Sequence, residues 1–319
     1  EREETNRYKQ KLFFTLETLL PVGTALVLAA WFDAIWLFFA ALLPLWEVFR
    51  PLLQFFFLRA TSPDHIPGLD CSHGVPEEGK VLTVIATLLT DEKQAKKMSS
   101  LLEEYHLANQ NAGPNAYYGL LADFPDAKTQ TKDTDDAILS AAKREIDRLN
   151  EQYGGRFCLI YRNRTFHAPD KIYMGRERKR GALTSLAALI AGGESESIVH
   201  GLSVSLLQTV RYCITLDSDT RLLPMSVTKM VGAMLHPLNR PVWENGRVVR
   251  GFGILQPRMT TELESVHATE FARVFAGQGG LSSYDVSVGE FYQDLFGRGI
   301  FMGKGILDIR LMHEALRDK

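Results

Sequence analysis

Residues 212–220 read Tyr-Cys-Ile-Thr-Leu-Asp-Ser-Asp-Thr, and this stretch decides the fold. Its first five residues have the length and residue types of a buried strand. Asp217 and Asp219 follow directly, with one residue between them. In an open α/β sheet the ligand lies beyond the carboxyl ends of the strands, so these carboxylates are the first candidates for a site. An isolated Asp-x-Asp triplet also occurs in solvated loops and helix caps, and that alternative stays open at this point.

Strand-like and helix-like stretches alternate on the amino-terminal side of this run. Strands are predicted at 81–89, 117–122 and 157–161, and helices at 91–109, 134–153 and 180–191. An alternation of this length predicts an α/β fold in which parallel strands form one sheet with helices on both faces.

The composition limits the function classes. The chain has 319 residues, of which 45% are hydrophobic, enough for one large domain or two small ones. Its formal charge is -2, so there is no chain-wide basic surface for nucleic acid, and we expect no nucleic-acid partner. Its three cysteines lie far apart, which argues against a zinc cluster or a disulfide framework and favours buried thiols.

The amino-terminal region has the composition of a membrane segment. Between residues 12 and 58 the charged side chains are Glu17, Asp33, Glu47 and Arg50. Residues 12–31 and 35–58 are each about the ~20 residues that cross a bilayer as a helix. We therefore predict a transmembrane helical hairpin over 12–60, with the lipid bilayer as a partner.

Two alternatives to this hairpin remain open. The two segments also fit a buried pair of soluble helices. Pro44 and Glu47 would interrupt a lipid-facing helix, so a single span followed by an interfacial segment is also compatible with the sequence.

The basic residues predict an orientation and the domain limits. Arg and Lys precede the first segment and follow the second, which places both ends in the cytoplasm by the positive-inside rule. The predicted organisation is a cytoplasmic tail at 1–11, the hairpin at 12–60, a proline-containing linker at 61–77 and a soluble α/β domain at 78–319.

Two further groups follow predicted strands. Asp123 comes after the second strand, where its carboxylate would accept hydrogen bonds from a nucleobase or ribose, although an Asp shortly before a Pro also forms turns. The segment 174–183 contains a basic cluster that opens a helix. Cations at a helix amino terminus suit phosphate groups, whereas the alternative is a solvated basic patch.

Several ordered blocks carry a family resemblance. They are Thr-Leu-Leu-Thr at 87–90, Leu-Ala-Asp-Phe-Pro-Asp-Ala at 121–127, Arg-Lys-Arg-Gly at 178–181, Thr-Leu-Asp-Ser-Asp-Thr at 215–220, His-Pro-Leu-Asn-Arg-Pro at 236–241, Gly-Phe-Gly-Ile-Leu-Gln-Pro-Arg at 251–258, Tyr-Gln-Asp-Leu-Phe-Gly at 292–297 and Phe-Met-Gly-Lys-Gly-Ile-Leu-Asp at 301–308. From about residue 76 to 308 the chain resembles the transferase domain of cyclic β-1,2-glucan synthases, which are GT-A-type enzymes of glycosyltransferase family 84.

The resemblance implies a GT-A-like, Rossmann-type mixed sheet and an inverting glucosyltransferase. It implies UDP-glucose as donor, a β-1,2-glucan chain as acceptor, and Mg²⁺ or Mn²⁺ held by Asp217 and Asp219. It further implies a place in the bacterial inner membrane with the catalytic domain in the cytoplasm. The implied donor-binding residues are Thr87, Asp123, Lys179, Arg180 and Asp217, and the implied acceptor-side residues are Gln256, Gly303 and Lys304.

The chain departs from the family pattern in one respect. The family carries an acidic residue, the expected catalytic base, in a Ser-His-Asp-Leu-Leu-Glu-Gly type segment after the last block, and residues 1–319 do not contain it. We therefore expect a fragment of a longer polypeptide, with the base beyond Lys319 and further carboxyl-terminal regions as partners. Glu290, Asp294 and Asp308 are the in-chain acids that could replace the base, but we expect structural or acceptor-side roles for them.

Two other functions fit the same residues. One is a membrane-attached module that binds a sugar nucleotide or glycan without turnover. The other is a transferase that makes a different β-linked glycan.

Overall fold

The computed structural model describes residues 2–61, 66–257, 259, 269–270, 273, 295–296, 301 and 303–317. The chain divides into two compact units, one formed by 1–65 and 258–300 and the other by 66–257 and 301–319.

The first unit contains a helical hairpin, α1 (Arg2–Trp31) and α2 (Ile35–Ala60). The two helices run antiparallel, since Lys9 Nζ donates a hydrogen bond to the carbonyl of Ala60 at 2.6 Å. By length and composition both helices are able to cross a membrane. Glu17 and Arg50 pair across the hairpin at 3.3 Å, as expected for charges between apolar helices.

The second unit is an α/β domain. Its strands are β1 (Val81–Leu88), β2 (Ala116–Asp123), β3 (Phe157–Tyr161), β4 (Thr165–His167), β5 (Ile172–Met174), β6 (Ile198–His200), β7 (Tyr212–Asp217), β8 (Val242–Glu244), β9 (Arg247–Arg250), β10 (Ile254–Leu255) and β11 (Gly305–Asp308). Its helices are α3 (Glu92–Ala108), α4 (Asp135–Tyr153), α5 (Arg178–Ala191), α6 (Val204–Leu207), α7 (Ser226–Leu235) and α8 (Ile309–Leu316).

Seven of the described strands form one sheet in the order β10-β11-β7-β1-β2-β3-β6. The four central strands, β7, β1, β2 and β3, are parallel. β6, β11 and β10 pair antiparallel at the two sides. The predicted α/β class, with a mixed and mainly parallel sheet, is confirmed.

Helices cover both faces of the sheet because the central strands are apolar on both faces. On β1, Val81 and Ile85 pack with residues of α3, α4 and α7, while Leu82 and Val84 pack with residues of α5 and α6. This two-residue alternation is the pleat of a strand buried from both sides. The three cysteines are free and buried, as their spacing predicted.

Residues 66–77 have long-range backbone contacts that the sequence did not indicate. Residues 66–77, expected to belong to a linker, are packed on the second unit. The Leu69 amide donates to the carbonyl of Gly232 at 3.0 Å, and the Val75 amide donates to the carbonyl of Ala112 at 2.9 Å. Proline and polar residues indicated an irregular segment correctly, but they gave no information about these long-range backbone partners. The second unit includes these residues from Ile66 onward.

Candidate functional site

The register of the parallel strands brings three predicted residues to one edge of the sheet. Asp217, the last residue of β7, lies opposite Ala86 of β1, so Thr87 is the next residue of β1 beyond this pair. Asp123, the last residue of β2, lies opposite Leu88. All three residues therefore stand at the carboxyl ends of their strands, where a ligand site is expected in an open α/β sheet.

The antiparallel strand β11 adds the acceptor-side candidates to this edge. Gly305 lies opposite Thr215, so Gly303 and Lys304 enter the sheet beside the end of β7. Gln256 follows β10, and a Cβ added to Gly305 would lie 3.1 Å from the Cα of Gln256. The structure thus brings Gln256, Gly303 and Lys304 to the edge that carries Asp217.

Two lysines contact the Asp217 carboxylate, one at each oxygen. Lys179 Nζ donates a hydrogen bond to Asp217 Oδ1 and a second one, 2.7 Å long, to the carbonyl of Gly303. Lys304 Nζ lies 3.3 Å from Asp217 Oδ2 and 3.8 Å from Asp219 Oδ1. The side chain of Asp217 is 36% exposed and that of Asp219 is 81% exposed. We call Lys179, Lys304, Asp217 and Asp219 the lysine–aspartate cluster.

The lysines keep Asp217 ionised. Its partial burial acts to raise the pKa, but the hydrogen bond and positive charge of Lys179, together with those of Lys304, outweigh burial. The pKa of Asp217 is therefore held below its ordinary value. An ionised carboxylate has the charge that a cation ligand needs.

Two hydrogen bonds hold the backbone of the loop that carries Asp219. The Tyr105 hydroxyl of α3 donates to the carbonyl of Thr220, and the Thr220 amide donates to the carbonyl of Asp217 at 3.1 Å. Burial raises the pKa of Tyr105, so its hydroxyl remains a donor. The backbone around Asp219 is fixed while its side chain reaches solvent.

The donor atoms of the cluster fit Mg²⁺ or Mn²⁺. Two carboxylates supply hard oxygen ligands, and such ions commonly take one or two carboxylates and complete their coordination with water and phosphate oxygens. Among the described residues there is no group of three or more His, Cys, Asp or Glu with metal-binding geometry. The pair is therefore suited to an ion that binds together with a phosphate-containing ligand.

The basic segment contributes one residue to the cluster. Lys179 reaches Asp217, whereas Arg180 points elsewhere: its Nε lies 3.6 Å from Glu177 and its side chain is largely exposed. Arg178 pairs with Asp126 at 2.8 Å. The predicted phosphate contact of Arg180 therefore stays a prediction that no described contact supports.

Asp123 has a partner that the sequence analysis did not foresee. Arg162 Nε donates to its Oδ1 at 3.0 Å and Nη2 to its Oδ2 at 2.6 Å. Asp123 is only 6% exposed. A direct contact between Asp123 and uridine, as predicted, would require Arg162 to share or leave this carboxylate.

Sequence reasoning missed Arg162 and Arg164, which directly follow β3. Arg164 forms a similar buried pair with Asp135, and its Nε donates to the carbonyl of Pro125 at 2.7 Å. The rule that singled out Asp123 and Asp217, a charged residue just after a buried strand, also applies to these arginines.

No family model matches this chain. The cyclic β-(1,2)-glucan synthase NdvB of Rhizobium meliloti (strain 1021) is 35% identical to it over 284 residues. The chain is related to this cyclic glucan synthase. The match covers 87% of the chain and supports the resemblance inferred from its sequence blocks. The chain spans 10% of the length of that curated relative.

In the present chain, Asp308 lies away from the lysine–aspartate cluster and has structural contacts. It lies opposite Tyr212, at the amino end of β7, whereas Asp217 ends the same strand. Its carboxylate caps α8 by accepting a hydrogen bond from the Leu311 amide at 3.2 Å, and Arg211 Nε lies 3.4 Å away. These contacts agree with the structural role expected for Asp308 and give no support for its use as a base. Glu290 and Asp294 lie outside the described residues.

Proposed function

We propose that this chain is the donor-binding part of a membrane-attached, GT-A-type glucosyltransferase. The reaction is the inverting transfer of glucose from UDP-glucose to a growing β-1,2-glucan. The observation that carries this proposal is the lysine–aspartate cluster at the carboxyl ends of β7 and β1. The relationship to a cyclic β-(1,2)-glucan synthase supports the choice of substrate.

The cluster supplies the charges that departure of UDP needs. Asp217 and Asp219 would hold Mg²⁺ or Mn²⁺, and a bound ion would offset the negative charge that develops on the diphosphate. Lys179 and Lys304 bring two ammonium groups to the same place, and each one has a flexible stem. In the proposed complex they turn from Asp217 toward phosphate oxygens and stabilise the leaving group.

The acceptor is proposed to approach from the β10–β11 side of the sheet. Gln256 and Gly303 lie there, next to Lys304. By the family resemblance, we propose that the catalytic base of the longer protein lies in a segment outside residues 1–319. Thr87 and Arg180 remain proposed donor contacts.

The hairpin of α1 and α2 is proposed to anchor the domain at the inner face of a bacterial cytoplasmic membrane. Both helices have the length and hydropathy of spans. An Asp33→Cys variant tests the orientation, because Asp33 lies in the turn between them. An impermeant thiol reagent applied from the periplasmic side is expected to label it, and labelling only from the cytoplasmic side would contradict the orientation.

Donor binding is the first test. Calorimetry with UDP and Mn²⁺ compares the wild-type chain, Asp219→Asn and the matched control Asp147→Asn, a partly exposed carboxylate on α4. We expect wild type and the control to bind equally and Asp219→Asn to bind about tenfold more weakly, because a metal ligand is lost. Absence of UDP binding by wild type would contradict the proposal.

Turnover is the second test. UDP release from UDP-glucose is measured with this chain and with a version extended past Lys319, followed by linkage analysis of any glucan. Metal-dependent β-1,2 product from the extended version supports the full proposal. Binding without turnover in both favours the sugar-nucleotide-binding module, and another linkage favours a different β-linked glycan.

A further inference from the structure

Arg162 connects β3 to two other elements of the site. Its guanidinium is almost fully buried and forms a bidentate pair with Asp123 at the end of β2. Its remaining donor capacity is directed to backbone carbonyls: Nη1 donates to Arg176 at 3.1 Å and Nη2 donates to Arg178 at 3.2 Å. One side chain therefore joins β3, β2 and the segment that begins α5.

The segment bound by Arg162 is strained. Glu177 and Arg178 have φ angles of 54° and 49°, in the left-handed region that non-glycine residues rarely adopt. Such conformations are unfavourable for non-glycine residues and persist only where surrounding contacts fix them. The two carbonyls that accept from Arg162 belong to Arg176, just before the strained pair, and to Arg178, its second residue.

Glycines allow this close approach. A Cβ on Gly175 would lie 2.6 Å from Asp123 Oδ2, and a Cβ on Gly181 would lie 2.0 Å from the carbonyl oxygen of Arg176. Both distances are shorter than any normal contact of a Cβ atom. The absence of a side chain at Gly175 and Gly181 thus allows the backbone on either side of the strained turn to pack closely, with Gly175 against Asp123 and Gly181 against the carbonyl of Arg176.

Lys179 follows this turn directly, and its ammonium group contacts Asp217 and the Gly303 carbonyl. We infer that Arg162 is a positioning residue for Lys179: by fixing the turn at 176–178 it holds the Lys179 ammonium at the Asp217 carboxylate. The catalytic meaning of this inference rests on the proposed function, whereas the positioning itself does not.

The chain offers a matched control. Arg164 is equally buried, forms a bidentate pair with Asp135, and also donates to two backbone carbonyls, those of Pro125 and Gln130. None of these described partners belongs to the turn at 176–178. A purely structural role predicts the same effect on Lys179 from either arginine, while the positioning role predicts an effect from Arg162 alone.

Lysine labelling without any ligand tests the positioning. The full 319-residue chain, as wild type, Arg162→Lys and Arg164→Lys, is acetylated under limiting conditions. Mass spectrometry then compares the rate at Lys179 with that at exposed Lys97 on α3. We expect Arg162→Lys to raise the relative rate at Lys179 by about threefold or more, because the turn opens more often, and Arg164→Lys to leave it unchanged.

Equal rates in wild type and Arg162→Lys, or equal increases in both arginine variants, would overturn the inference. Asp123→Asn provides a second variant of nearly the same shape should Arg162→Lys fail to fold. It removes the carboxylate that orients Arg162 and is expected to raise the Lys179 rate in the same direction. An unchanged rate in Asp123→Asn would also count against the inference.

A binding cycle connects the inference to the proposed function. We expect Arg162→Lys to weaken UDP binding in the wild-type background and to add little in a Lys179→Met background, because it acts through Lys179. Equal weakening in both backgrounds would overturn the positioning role. If wild type binds no UDP, the proposed function fails, and the labelling result still decides the inference.

Discussion

Two kinds of charge pair stand at the same edge of the sheet, and their surroundings differ. The Arg162–Asp123 and Arg164–Asp135 pairs are buried, and in each the guanidinium side chain is no more than 2% exposed. The lysine–aspartate cluster at the end of β7 is open to solvent at Asp217 and Asp219. The buried arginine–aspartate pairs are therefore structural, because breaking them would leave a buried charge unpaired. The exposed lysine–aspartate cluster is able to exchange partners.

The side-chain chemistry agrees with this division. Arginine presents a planar fork that matches a carboxylate in two places, so it suits a permanent pair with additional bonds to carbonyls. Lysine carries a compact charge on a flexible stem, so it can leave one oxygen for another. The comparison predicts that loss of a buried pair is measured mainly as stability and loss of the cluster mainly as function.

The largest expected effect follows from removing one partner of a buried pair. Arg164→Met leaves the Asp135 carboxylate buried without its guanidinium, and such a change costs about 3–5 kcal/mol. Chemical denaturation measures the free energy of unfolding. Arg148→Met is the control, because its pairs with Glu103 and Glu145 are partly exposed, and it is expected to cost about 1 kcal/mol or less. Similar losses of unfolding free energy in both variants would contradict the prediction that buried pairs stabilise the fold more than exposed ones.

The opposite behaviour is expected of Asp217→Asn. The free energy of unfolding should change by no more than about 1 kcal/mol, because the carboxylate is partly solvated. In the version extended past Lys319, the proposed glucose transfer is expected to fall by about 100-fold, since the proposed metal ligand and a partner of both lysines are lost. Asp147→Asn serves as the control in both assays. A variant that unfolds, or one that keeps full activity, would place Asp217 with the buried pairs.

The sequence predicted the parallel core of the fold closely. The predicted strand at 157–161 coincides with β3, and the other main strands differ by about one residue at their ends, because buried apolar runs and helix periods are local signals. β11 and the backbone partners of residues 66–77 were missed, because a short strand and an irregular segment depend on distant neighbours. Local sequence signals have the same limit for the site. They predicted Asp217 and Lys179 as site residues, because each follows or begins a recognisable element. The pairing of Asp123 with Arg162 depends on the register of two strands, which the sequence does not show.

Acid titration separates the two kinds of pair further. The hydrogen bond from Arg164 outweighs burial and holds the pKa of Asp135 below its ordinary value of 3.8. A depressed folded-state pKa gives stabilisation that is complete above the unfolded value and is lost as pH falls through the folded one. We expect unfolding free energy to decline below about pH 4, and this acid decline to be flatter in Asp135→Asn than in Asp217→Asn. Denaturation curves between about pH 2 and 6 measure how the unfolding free energy depends on pH. The same dependence in Asp135→Asn and Asp217→Asn would contradict a larger contribution from the buried pair.

The smallest expected effect concerns Lys304, and it tests whether the cluster can exchange partners at all. The Lys304 ammonium lies 3.3 Å from Asp217 Oδ2, where it competes with a cation for that oxygen. Two unit charges about 4 Å apart repel by about 1 kcal/mol in water, and the repulsion is larger for a divalent ion, so Lys304→Met is expected to bind free Mn²⁺ at least about fivefold more tightly when no nucleotide is present. Electron paramagnetic resonance of free Mn²⁺ measures this affinity, with Lys132→Met, away from the cluster, as the control. The same variant is expected to bind UDP more weakly, since an ammonium group for the diphosphate is lost. Tighter Mn²⁺ with weaker UDP would show one lysine serving the carboxylate and the phosphate in turn, whereas an unchanged Mn²⁺ affinity would mean that Lys304 holds Asp217 as permanently as Arg162 holds Asp123.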